Sequence, residues 1–144
     1  MNSPEIDESL PVACRVDAIQ PEQRARWLEV GRRFYASVEQ VVELPDGYAL
    51  RLSPDHLPLT AEYVMRDRLC CAFVRWEIVV EQAGGPLWLR VRGPSGTKDL
   101  SRAAMERTDV LRPEVARAAG FALDRRRGVT LDDVAALADD LSRR

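Results

Sequence analysis

Hydrophobic positions change period several times along the chain, and each change marks a predicted element. Val12, Cys14, Val16 and Ala18 alternate with other residues, which predicts a first strand over 12–19 with Cys14 on its inward face. After Pro21, the positions Trp27, Leu28, Gly31, Phe34, Tyr35 and Val38 recur at steps of three and four, predicting a helix over roughly 21–37. Gly31 in that stripe is expected to let the helix lie close on a sheet, although glycine weakens a helix by about 1 kcal/mol relative to alanine. Two β-rich runs, 41–44 and 48–52, flank Pro45-Asp46-Gly47 and read as a hairpin. Residues 53–58 read as a loop, and a second helix is predicted from about Thr60 to Cys70 or Cys71.

Val74, Trp76, Ile78 and Val80 then alternate with Arg75, Glu77 and Glu81, predicting a strand with one buried face. Gly84-Gly85 turns the chain into a partner strand over 87–92. Its Arg90 and Arg92 are expected to face Glu77 and Glu81 and help set register. A short helix is predicted over about 97–107. Pro113 opens another, and Thr130 with Asp133 makes a capping-box-like start for a last one. The order β-α-β-β-α-β-β followed by helices predicts an α+β fold: a two-layer sandwich on a largely antiparallel sheet, with C-terminal helices. Its second sheet face would be covered by those helices, another subunit or a ligand. The expected organisation is a disordered lead at 1–11, an α+β domain at 12–108 and a helical appendage at 109–144.

Composition narrows the function without naming one. The 144 residues are 46% hydrophobic and 31% charged, as in an ordinary globular chain. A formal net charge of −2 offers no global field for nucleic acid or an anionic membrane. No apolar run approaches the ~20 residues of a membrane span. The acidic start, Met1 to Glu8, does not resemble a secretory signal, so a cytoplasmic location is expected. Gly96-Thr97-Lys98 lacks the Gly-Lys-Ser/Thr order of a phosphate loop.

The chemistry resides in three cysteines, Cys14, Cys70 and Cys71. An odd number in a reducing compartment argues against a disulfide framework. On a helical wheel over 60–72, Ala61, Val64, Met65, Leu69, Cys71 and Ala72 fall on the expected core side. Cys70 falls nearly opposite, with Tyr63 and Arg66. The two sulfurs can therefore cooperate only if the helix unwinds at its end. Arg66 and Arg75 favour a thiolate there, whereas the negative end of the helix opposes one. Cys14 and Cys71 also have a plain reading as small core residues. The single histidine, His56, lies a few residues before the cysteine helix, whose far end is about ten residues further on, which argues against a Cys-His dyad.

Arg68-Leu69-Cys70-Cys71-Ala72-Phe73 with Arg75-Trp76-Glu77-Ile78, the segments 44–51 and 85–90, and Gly93-Pro94-Ser95-Gly96-Thr97-Lys98-Asp99-Leu100 together resemble small bacterial proteins carrying a Cys-Cys-Pro-Phe-like motif. Similar segments form C-terminal parts of some mercury-resistance-type regulators. The resemblance covers about 12–105, includes an early cysteine matched by Cys14, and has Ala72 where proline is common. It implies no particular activity. Two functions stand open. One is capture of a soft metal or metalloid ion by Cys70, Cys71 and Cys14. The other is a non-enzymatic interaction or homodimerisation module with structural cysteines. A thiol-dependent reductase lacks a visible acid–base partner, so the expectation leans away from an enzyme.

Overall fold

The computed structural model describes residues 6–107 and 111–122. The first regular helix is α1 (Arg24–Ala36), entered through a short 3-10 turn at Pro21–Gln23. A hairpin follows, β1 (Gln40–Leu44) and β2 (Gly47–Leu52), and then α2 (Leu57–Cys70). A second hairpin, β3 (Arg75–Val80) and β4 (Leu87–Arg92), leads to α3 (Thr97–Arg107) and α4 (Pro113–Ala118). The four strands form one antiparallel sheet in the order β1-β2-β4-β3. This is the α+β architecture expected, with one correction at its start. Residues 12–15 form no strand, and Val16–Ala18 is a 3-10 turn. Their alternation reflects a strap lying across the domain rather than a strand in the sheet. The helix predicted from Thr130 lies outside the described residues.

Register decides which sheet face is buried. Leu50 opposes Leu89, Leu52 opposes Leu87, and Val91 lies between Tyr48 and Trp76. Opposed residues share a face, and these side chains join Val30, Phe34, Val38 and Tyr63 of the helices in the main core. Met105, Leu111, Val115, Ala116 and Phe121 enter the same core, so the described C-terminal helices extend the helical layer. The opposite face carries Arg51, Arg75, Glu77, Arg90 and Arg92 at the alternate positions. Arg92 bonds Glu77 (3.1 Å) and Asp46 (2.9 Å), tying the two hairpins together. Among the described residues Arg90 has no ion pair, and Glu81 falls beyond the end of β3. The expected cross-strand charges therefore meet only through Arg92.

Two glycines behave differently. A Cβ on Gly47 would run into the Val91 carbonyl, so the β2–β4 approach needs a residue without a side chain there. Nothing lies within 4 Å of a Cβ placed on Gly31, so the expected close packing of α1 through this glycine is not found. Gly31→Ala is therefore expected to raise stability by about 0.5–1 kcal/mol, read as a higher urea midpoint at unchanged slope. A lower midpoint would reveal a contact at this position that the structure does not contain.

Candidate metal centre

Helix α2 delivers the cysteine pair, and its inward stripe is not the one its hydrophobic residues predict. Thr60, Tyr63 and Cys70 are buried, while Met65 and Leu69 are 56% and 49% exposed. Cys70, expected on the polar side, is 2% exposed. The reason lies in paired polar groups. Tyr63 stacks on Phe34 at 4.3 Å, shares a 2.7 Å hydrogen bond with Tyr35 and meets the edge of Trp76. With its hydroxyl satisfied inside, Tyr63 turns α2 about its axis relative to a wheel counted on aliphatics alone. Asp67, one turn after Tyr63, follows it inward and accepts a 3.0 Å hydrogen bond from Trp27 Nε1 of α1.

The helix then stops where the chemistry requires. Cys71 is the C-cap, with φ −112° and ψ 66°, outside helical geometry. Its N–H still bonds Asp67 O at 2.9 Å, and Val74 N–H returns to Cys71 O at 3.2 Å in a tight turn toward β3. This one non-helical residue cancels the divergence of adjacent side chains. Meanwhile the N-terminal strap is pinned across the end of α2, because Arg15 N–H donates to the Cys70 carbonyl at 2.9 Å. That bond satisfies one carbonyl left open at the helix end and carries Cys14 to the pair. Around them, Ile19, Trp27, Phe73 and Leu100 form a second, smaller core.

All three cysteines are free thiols, and the three Sγ atoms lie within 4.8 Å of one another, with Cys14 and Cys71 at 3.4 Å. Three sulfurs at this spacing could hold one metal ion. Cys70 and Cys71 are buried and Cys14 half-buried, so access is from the strap side. The three titrate as a set. Hydrogen bonds from Cys70 and then Cys71 hold the Cys14 thiol far below its ordinary value, to about 4. Donating to Cys14 pushes Cys70 up to about 12 and Cys71 well above the usual thiol range. Burial above all raises Asp67 to about 6, against its hydrogen bonds from Trp27, Cys71 and Tyr63. The resting cluster is thus one thiolate held by two thiols.

The expected arginine support is absent from this balance. Arg66 is spent on Glu62 (2.7 Å) and Gln23 (2.9 Å), and Arg75 lies 3.5 Å from Glu77. His56 stands at the start of the 14-residue α2, about 20 Å of helix away, and lines a separate cleft with Arg26, Arg33 and Glu62. It takes no part in the cluster. Asp67 and Trp27 are the site residues that sequence reasoning missed. The available signal was Asp67 standing one turn after Tyr63, on the same side of α2. Among the described residues, no helix is long and apolar enough to cross a membrane. Comparison with known protein families, curated proteins and solved structures finds no match for the chain.

Proposed function

We propose that this protein captures a single thiophilic metal or metalloid ion through Cys14, Cys70 and Cys71. The observation that carries this reading is the convergence of three free sulfurs from two distant parts of the chain within 4.8 Å. Metal–sulfur bonds of about 2.3 Å place two sulfurs of one ion about 4 Å apart, so loading needs movements of only tenths of an ångström. Thiolates are the ligands that soft ions select. The Cys14 thiolate offers the first bond without a proton having to leave, and the two thiols beside it complete the set.

The test is titration of the reduced protein with arsenite and with cadmium, followed by sulfur-to-metal charge-transfer absorption and equilibrium dialysis. One ion per chain is expected. Changing an outer-shell residue costs about 10- to 100-fold in metal affinity, so Cys14→Ser, Cys70→Ser and Cys71→Ser should each weaken binding by at least about 100-fold. Cys70→Ser protein that binds both ions as tightly as the parent would sink the reading.

A further inference from the structure

We infer that the ion suited to this site is a trivalent metalloid, arsenite or its antimony counterpart, rather than a divalent metal. This rests on the three-sulfur reading above and names its ligand class. Donor number is the first argument. The sulfur triad is the one metal-ligand cluster found among the described residues, and it brings three donors. Divalent zinc fills a closed protein site with four. The Asp67 carboxyl group on α2 already accepts the Trp27 indole N–H at 3.0 Å. A trivalent arsenic centre forms three bonds and carries a lone pair in the fourth direction, so three sulfurs complete it.

Charge is the second argument. Three thiolates around a trivalent centre sum to zero, whereas around a divalent ion they leave one negative charge. A divalent complex thus keeps the one negative charge of the free cluster, but loses the two S–H donors that hold it on half-buried Cys14 and spreads it onto Cys70 and Cys71, 2% and 9% exposed, where an uncompensated ion is costly and interactions are weakly screened. Cations that would neutralise it are engaged elsewhere: Arg66 with Glu62, Arg75 with Glu77 and Arg15 with Asp17. Asp67 adds a carboxyl group to the same surroundings, so an anionic complex would meet further negative charge.

The loading reaction balances without an oxidant. Arsenous acid, the Cys14 thiolate and the two thiols give the arsenic trithiolate, two waters and one hydroxide: three As–O bonds break, three As–S bonds form, the two thiol protons leave on departing hydroxyls, and the third hydroxide takes its proton from solvent. Arsenic stays trivalent and the site becomes neutral. A divalent ion loading the same cluster releases two protons and leaves the anion.

Ion-dependent stability tests this, because a ligand that prefers the native state shifts unfolding by mass action. Wild-type protein in a non-thiol reductant is unfolded in urea alone, with arsenite, and with cadmium. Arsenite at about 100 times its dissociation constant is expected to shift the unfolding equilibrium about 100-fold toward the native state. Both ions also bind unfolded thiols, but cadmium, whose native complex keeps a buried charge, should shift it less than tenfold or in the opposite direction. X-ray absorption of the arsenic-loaded protein should show three As–S bonds. Stabilisation by cadmium equal to or above that by arsenite overturns the inference and leaves the three-sulfur reading intact. Failure of both ions to bind the native protein overturns both.

Discussion

At pH 6, iodoacetamide is expected to alkylate Cys14 a few hundred times faster than Cys70. Only a thiolate attacks, and with values of about 4 and about 12 the two thiolate fractions differ by about a millionfold at this pH. The gain is not realised in full, because a thiolate of low pKa is a weaker nucleophile. With a Brønsted slope of about 0.4–0.5, a separation of about eight units returns between three and four orders of magnitude. About 10² to 10³ remains, and the greater exposure of Cys14 acts in the same direction. Peptide mapping after timed alkylation reads the ratio directly. Equal labelling of Cys14 and Cys70 would place the thiolate elsewhere.

The same proton distribution sets a pH dependence of folding. Cys14 is depressed in the folded state, so its contribution is present above its unfolded value of 9.0 and is lost as pH falls toward about 4. Cys70 is raised, so its contribution is present below 9.0 and is lost as pH rises through about 12. Asp67, raised from 3.8 to about 6, contributes below 3.8 and loses that contribution as pH rises through about 6. Between pH 4 and 6 Asp67 therefore opposes Cys14. From pH 6 to 9 Cys14 acts with less opposition, and stability should rise. Cys14→Ser should remove that rise, since serine carries no comparable charge.

Why some of this was legible in the sequence and some was not comes down to which residues are unambiguous about their side. The hairpins were legible because alternation in Trp76, Ile78 and Val80 against Leu87, Leu89 and Val91 sets the register, although the expected buried face holds only on β4: at the sheet edge Ile78 and Val80 are 38% and 57% exposed. Helix α3 was legible for a similar reason, with Gly96 at φ 100° marking the break before Thr97. Helix α2 was legible in extent but not in rotation. Its apolar residues Met65 and Leu69 lie outside, and its inward residues, Thr60, Tyr63 and Asp67, each carry a polar group. The inward turn of Tyr63 and Asp67 depends on partners 28 and 40 residues away, Tyr35 and Trp27, which no local window contains. The strap was misread because alternation also suits an extended segment that pairs with no strand. That Cys14 would meet the pair was legible only as a hypothesis about chemistry, since the bond that brings it there, Arg15 N–H to Cys70 O, is between backbones.

Phe34→Ala is expected to cost about 3–5 kcal/mol, as full truncations of buried aromatics do. Phe34 is 0% exposed, stacks on Tyr63 at 4.3 Å and 5° interplanar angle, and meets Tyr35 edge-on at 5.2 Å. Against a total stability of about 5–15 kcal/mol this is a large fraction, visible as a lower urea midpoint with unchanged slope. A loss below about 1 kcal/mol would mean that the ring stack does not seat α2. The same variant asks whether the sulfurs belong to the main cooperative unit. They sit in the smaller core, beside Ile19, Trp27 and Leu100, yet on the helix that Tyr63 anchors in the larger one. If opening is shared, alkylation of Cys70 at alkaline pH should accelerate by the factor in the unfolding constant, about a hundred- to several-thousandfold for that loss. Acceleration well short of this would make the strap and the end of α2 a separately opening unit. An incoming ion would then reach Cys70 and Cys71 by local release of the strap, with the sheet and its helices intact.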